Sequence, residues 1–197
     1  ILKPLMTYCI SLQTTTPGVL KDTKRTSATH KETVESLEYA REHDLPTGTE
    51  LIFGLPGETL DSWKEVINKT VGYRFNSIQM QGLWLLKGSD LNRAEVREEM
   101  QYRSKFMLAE NAVTISDEFF SIEKDEIVVQ SKYYSFDEWK IFLKYQILVK
   151  MLLLFGYGRE LIYYALNIGV QPTDLFDVMT AHPEEYPNVC EFASDYV

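Results

Sequence analysis

Apolar positions over the first 86 residues switch between short alternating runs and sets with helical spacing. They predict six elements in the order strand, helix, helix, strand, helix, strand: 8–13, 17–25, 30–43, 49–53, 59–71 and 77–86. Helices between consecutive strands exclude simple hairpins, so we expect a right-handed βαβαβ unit with parallel strands. Such a unit belongs to an α/β barrel or to an open doubly wound sheet. Both fold types carry their chemistry at the carboxyl ends of the strands.

The rest of the chain has a weaker pattern up to residue 134 and a mostly helical one after it. One or two short strands are expected around Phe106, Val113 and Ile127. Ser135 and Glu138 match a capping box that opens the longest helix. The predicted helices are 91–99, 135–155, 158–168 and 174–180. The chain is therefore expected to divide into an α/β part, a connecting region and a helical part, over 1–90, 91–134 and 135–197.

The charge balance is acidic, with 20 Lys and Arg against 29 Asp and Glu and a net charge of −9. A protein that binds phosphate backbones needs a basic face, so nucleic acid is a disfavoured partner. The longest apolar stretch, 141–155, is interrupted by Lys144, Gln146 and Lys150 and is shorter than the roughly 20 residues of a bilayer span. Because no signal peptide pattern is present either, we expect no membrane association and a cytoplasmic location.

The cysteine content limits the possible metal chemistry. Cys9 and Cys190 are too few and too far apart for a disulfide framework or a zinc site, and they cannot supply three thiolates to a cluster. The three histidines have no companion ligands at metal-binding spacing, and no Ser/His/Asp or Cys/His arrangement suggests nucleophilic catalysis. Since the chain starts with Ile1, we expect a fragment of a longer polypeptide.

The turn over 54–59 is the strongest local feature. Gly54 and Gly57 would let the backbone approach a ligand, and the helix that follows presents free N–H groups to an anion. The alternative is a tight βα turn in which Thr59 only caps the helix. The glycine spacing fits neither a Walker loop nor the dinucleotide fingerprint.

Polar side chains near the strands are further candidates for ligand binding. Gln13 ends the first strand and would bind a ligand hydroxyl, or it is a polar residue at a loop entry. Glu50 would accept hydrogen bonds from hydroxyls, or it is an exposed residue at a strand start. Arg25 would hold a carboxylate through its guanidinium fork, or it complements the helix dipole.

Three segments together carry a family resemblance: SLQTTTPGVLKDTKR over 11–25, TELIFGLPGETLDSW over 49–63 and LLKGSDL over 85–91. In order and spacing they resemble the second half of a radical S-adenosylmethionine (SAM) enzyme barrel. The type most resembled is the one with a cobalamin-binding domain. Oxygen-independent coproporphyrinogen oxidase and the methylthiotransferases are also similar. The resemblance implies half of a TIM-like parallel α/β barrel followed by a helical region.

The resemblance also implies roles for individual residues. Gln13 and Glu50 would contact the ribose hydroxyls of SAM, and Arg25 would help to hold the methionine carboxylate. Ile52 would pack on the adenine, within a Gly-x-Ile-x-Gly-like motif that ends at Gly54 and has Glu50 in place of its first glycine. The backbone around Gln81 and Leu83 would meet the adenine edge.

The chain departs from the family in lacking the Cys-x-x-x-Cys-x-x-Cys motif that ligates a four-iron cluster. The resemblance places that motif upstream of this sequence, so the missing half of the barrel or a partner chain is expected to supply it. An open half-barrel also leaves a sheet face and edge to be covered. We expect an oligomer partner, the missing half or the helical C-terminal region to cover them.

The implied activity is formation of a 5′-deoxyadenosyl radical from SAM, which abstracts hydrogen from a small-molecule substrate. Cobalamin-dependent methylation is one outcome that the resemblance implies. Two alternatives remain open at this point. One is a cluster-less α/β interaction or scaffold domain that does not bind SAM. The other is an oxidoreductase of the coproporphyrinogen oxidase type, which would need a basic pocket.

Overall fold

A computed structural model describes residues 7–24, 26–115, 120–182 and 184–195. Three parallel strands form its first sheet: β1 (Tyr8–Cys9), β2 (Thr47–Phe53) and β3 (Ser77–Gly82), in the order β1-β2-β3. Helices α1 (Pro17–Asp22), α2 (His30–Glu42) and α3 (Leu60–Gly72) connect them. The βαβαβ unit predicted from the sequence is confirmed. The described strands form an open sheet and not a closed barrel.

Local sequence explains where these helices begin. α1 has Pro17 at its first position, where the missing N–H costs nothing. The other two helices begin with reciprocal capping boxes, Thr29 with Glu32 for α2 and Thr59 with Ser62 for α3. The apolar face of α3, which includes the fully buried Trp63, then packs against the sheet. Each helix is therefore fixed at its start by its own residues and along its length by burial.

The first strand is shorter than the predicted range 8–13. Regular pairing stops after Cys9 and resumes only as an isolated bridge between Gln13 and Leu51. The reason lies in the backbone, since Gln13 has a positive φ of 58° and Thr14 N–H donates to the Leu12 carbonyl at 2.6 Å. The chain therefore turns sharply at the carboxyl end of β1.

The connecting region folds as a helix and a long antiparallel hairpin. A 3₁₀ turn (Asp90–Asn92) and α4 (Ala94–Glu99) precede β4 (Arg103–Ile115) and β5 (Phe120–Gln130). The prediction of one or two short strands was wrong, because both strands of the hairpin are long. The predicted strand over 77–86 is also divided, because β3 ends at Gly82 and Trp84 then bridges to Ile127 of β5.

The C-terminal region is helical, as predicted, with different bounds. Its helices are α5 (Phe136–Val149), a π-helical turn (Lys150–Leu154), α6 (Arg159–Asn167), α7 (Pro172–Ala181) and α8 (Pro187–Asp195). α5 begins at the predicted capping box of Ser135 and Glu138 but leaves α-helical geometry after Val149. α7 begins at Pro172, before the predicted start at residue 174, and α8 was not predicted.

The hydrophobic core joins the sheet to the C-terminal helices. The rings of Phe53 on β2, Trp63 on α3 and Phe142 on α5 lie 5.3–6.2 Å apart, at distances favourable for edge-on aromatic packing. At the edge of the sheet, Gln146 Nε2 donates to the Met80 carbonyl at 2.5 Å. The helical region thus covers part of the β3 edge, one of the coverings expected from the sequence.

The described helices are short relative to the thickness of a bilayer. None of them is by itself long and apolar enough to cross a bilayer. One pair, Phe136–Leu154 and Arg159–Asn167, reaches that length and composition only when the two are counted together across a bend of 100°.

Candidate functional site

Three predicted site residues lie together where Gln13, which follows β1, pairs with the middle and end of β2. Gln13 N–H donates to the Glu50 carbonyl at 2.8 Å, and the Gln13 carbonyl accepts from Ile52 N–H at 2.8 Å. Gln13 is therefore hydrogen-bonded through its main chain to both predicted residues of the neighbouring strand. Its left-handed φ of 58° is uncommon for a non-glycine residue and marks this strand end as locally strained.

The register of β2 and β3 places residues of β3 beside Glu50 and Ile52. Glu50 lies beside Gln79, and Ile52 lies beside Gln81. Glu50, Gln79 and Gln81 are exposed and Ile52 is partly exposed, whereas the alternate residues of β2 are buried. Because successive side chains in a strand point to opposite faces, one face of the sheet packs on the core and the other presents a carboxylate, two amides and an aliphatic side chain.

The turn after β2 has a conformation that requires glycine. Gly54 has a φ of 85°, and a Cβ added there would lie 2.5 Å from the Tyr134 hydroxyl oxygen. A non-glycine residue would face both an unfavourable backbone conformation and a collision. Tyr134 comes from the chain segment just before α5, so this segment packs directly on the turn.

A buried carboxyl group joins the loops that follow β1 and β2. Glu58 is fully buried, and its Oε1 accepts hydrogen bonds from Ser62 Oγ at 2.9 Å and from Thr16 Oγ1 at 3.3 Å. Its Oε2 has no hydrogen-bond partner among the described residues. Desolvation by burial raises the pKa of Glu58 to about 7, although the hydroxyl groups of Ser62, Thr16 and Thr14 act in the opposite direction.

Sequence reasoning quoted Glu58 within the turn but gave it no role. Its position just before the N-terminus of α3 suggests an ionised side chain stabilised by the helix dipole, an effect of about 0.3–1 kcal/mol. In the folded chain, desolvation by burial outweighs that effect and favours the protonated form of Glu58. The sequence did contain a signal for this burial, the pair of hydroxyl residues Thr14 and Thr16. They lie in the loop between β1 and α1 and help to enclose the carboxyl group.

Two other predicted site residues differ from this group. Arg25 lies outside the described residues. Leu83 is 4% exposed, and its carbonyl accepts from Val128 N–H at 3.0 Å. Its predicted role was through the backbone, and the hairpin already uses that carbonyl. Gln81, two residues earlier, remains on the open face.

The residues of this chain do not fit a four-iron cluster. The sequence contains two cysteines, Cys9 and Cys190, and the structure shows both as free thiols on different parts of the fold. A cluster held through three cysteines at the family spacing needs a ligand set that this sequence does not contain.

The sheet belongs to the parallel α/β class, whose members carry their ligand sites at the carboxyl ends of the strands. Within that class, the family model of the radical SAM superfamily matches residues 2–70. The match confirms the resemblance and identifies this third of the chain, which includes Gln13, Glu50, Ile52 and Gly54, as radical SAM sequence. The family implies SAM and usually an iron-sulfur cluster. No curated protein matches the chain.

Proposed function

We propose that this chain is the SAM-binding part of a radical SAM enzyme that acts on a small molecule. One observation carries the proposal. Gln13, Glu50 and Ile52 belong to the matched region, and hydrogen bonds join the main chain of Gln13, which follows β1, to both residues of β2. In this proposal residues 1–90 are half of a barrel, 91–134 connect it and 135–197 form a helical region beside it.

Each residue has a chemistry suited to one part of SAM. The Glu50 carboxylate would accept hydrogen bonds from the ribose hydroxyls, and the Gln13 amide would complete their binding. Ile52 would pack on the adenine, with Gln81 and the backbone at Leu83 near its edge. Gly54 would allow close approach at the turn. Arg25 would hold the methionine carboxylate through two parallel hydrogen bonds.

Bound SAM supplies radical chemistry only when an iron-sulfur cluster provides an electron. This sequence lacks a cluster ligand set, so the proposal assigns the cluster to another segment of the polypeptide or to a partner chain. The same segment or chain would cover the open sheet face with Glu50 and Gln79. In this proposal, the role of the chain is to bind and orient SAM.

Cobalamin-dependent methylation rests on the sequence resemblance alone, because the family match is to the radical SAM superfamily as a whole and adds no support for cobalamin. The interaction or scaffold alternative differs from the proposal in one measurable property: it predicts no binding of SAM.

The test is titration of SAM into the chain, followed by calorimetry, with Glu50→Ala and Gln13→Ala as variants. Each lost contact is expected to weaken binding by about 1–3 kcal/mol, or roughly 5- to 150-fold in Kd. Glu38→Ala is the matched control, since Glu38 is an exposed carboxylate on α2. Absence of SAM binding would favour the scaffold alternative. Equal affinities in all variants would refute the residue assignment.

A further inference from the structure

A cavity of about 660 Å³ lies beside β3 and reaches Phe53 at the end of β2. Its walls come from three elements: the free edge of β3, one face of the β4–β5 hairpin and α5 with the turn that follows it. Two contacts hold these elements around it, the bridge between Trp84 and Ile127 and the hydrogen bond from Gln146 to the Met80 carbonyl. The volume lies within the roughly 300–1,000 Å³ of small-molecule sites.

The polar lining of this cavity is rich in hydrogen-bond donors and cationic. Lys105 of the hairpin and Lys150 at the end of α5 are lining residues, with their ammonium groups 4.5 Å and 5.8 Å from the ring centres of Phe136 and Phe155. Gln79 and Gln81 line the β3 side. Among the described lining residues there is no Asp or Glu. Neither lysine forms an ion pair with a described side chain. This cationic lining contrasts with the net charge of −9 of the whole chain.

The apolar lining is aromatic. Trp84 and Trp139 both face the cavity, and the Trp139 indole nitrogen is buried with no hydrogen-bond partner within the described part of the chain. A buried N–H without an acceptor is rare in folded proteins and costs about 1–3 kcal/mol. Flat aromatic walls favour a flat apolar body.

We propose that this cavity binds a planar, largely apolar organic anion of the aromatic carboxylate class. Lys105 and Lys150 would attract the carboxylate, and the two tryptophans would enclose the ring. Gln79 and Gln81 border both the cavity and the open face with Glu50 and Ile52. If the proposed function holds, on which this further step rests, the anion is the substrate of that enzyme.

The test uses 2-naphthoate, with 2-naphthylmethanol and 2-naphthylmethylamine as neutral and cationic analogues of the same ring, titrated into the full chain by calorimetry without SAM. Naphthoate is expected to bind at least about fivefold more tightly than the alcohol, and the amine more weakly than both. Lys105→Met and Lys150→Met should each weaken naphthoate binding by about two- to fivefold, the range of a partly exposed ion pair. Binding of the alcohol should not change.

Lys124→Met is the matched control, because Lys124 pairs with Leu108 on the hairpin and does not line the cavity. Equal affinities for the three ligands would overturn the proposal. The proposal would also be overturned if Lys124→Met weakened naphthoate binding as much as Lys105→Met and Lys150→Met do. The measurement is independent of SAM, so failure of SAM binding with naphthoate selectivity retained would refute the proposed function and leave the cavity assignment standing.

Discussion

The buried carboxyl group of Glu58 is expected to make the stability of this fold depend on pH. Its pKa is about 7 in the folded chain against an ordinary value of 4.5. At about 1.4 kcal/mol for each pH unit, this difference corresponds to about 3 kcal/mol. Between those pH values the folded chain keeps a proton that the unfolded chain has released. The free energy of unfolding should therefore fall as the pH rises from about 4.5 to 7, and Glu58 should add no further change above that.

The assay is urea unfolding of the wild-type chain and of Glu58→Gln at intervals between pH 4.5 and 8, followed by circular dichroism. The variant carries a neutral amide at every pH, so the term from Glu58 is absent from its profile. Contributions from other groups are common to both proteins and cancel in the difference between the two profiles. Relative to the variant, the wild type should lose about 3 kcal/mol across the range.

The control is Glu50→Gln, because Glu50 is an exposed carboxylate on the same β2–α3 segment. Its profile should run parallel to that of the wild type. The reasoning about Glu58 would be refuted if the profiles of Glu58→Gln and the wild type were also parallel within about 0.5 kcal/mol, a typical limit for comparing variants. That result would mean that the carboxyl group ionises in the folded chain as readily as in the unfolded one.

Two further predictions concern stability and are checked by the same unfolding assay. Gly54→Ala should lower the free energy of unfolding by more than about 2 kcal/mol, because φ is 85° and the new methyl group would meet the Tyr134 hydroxyl. The control is Gly18→Ala in α1, where nothing lies within 4 Å of the new methyl group and no destabilisation is expected. A similar loss of stability in both variants would contradict the argument. Arg97→Met should cost about 1 kcal/mol at pH 7, since Arg97 donates to both oxygens of Glu126 at 2.6 and 3.0 Å and lowers its pKa. That cost should disappear as the pH falls below 4.5 and Glu126 becomes protonated, and a cost independent of pH would count against an ionic origin.

The parallel sheet could be predicted because its signals are local. Alternating residues mark β2 and β3, and Thr59 and Ser135 cap helices at the expected positions. The hairpin could not be predicted at its true length. Phe106, Met107 and Leu108 are consecutive apolar residues that all remain exposed, so they give no alternation between a buried and a solvated face. The backbone pairing of two long strands leaves little trace in such a sequence.

The candidate site shows the same division between local and distant causes. The family resemblance predicted that Gln13 and Glu50 lie together, whereas the pattern of the residues alone put Gln13 at a strand end and Glu50 at a strand start. The burial of Glu58 could not be read from its neighbours in sequence. It depends on Thr14 and Thr16 in the preceding strand's loop and on a turn that Tyr134 packs against, some 75 residues later. Tertiary packing decides the state of this carboxyl group.

The position of β3 links the two proposed sites. Strands in a sheet lie about 4.8 Å apart, and Gln79 and Gln81 stand beside Glu50 and Ile52 in register. The same two glutamines border the cavity at the free edge of β3. A nucleoside bound over β2 and an anion held in the cavity would therefore be separated by about one strand. A reaction that transfers a hydrogen atom from substrate to SAM-derived carbon requires such closeness. If both proposals hold, Gln79 and Gln81 of β3 would form a wall shared by the two ligands.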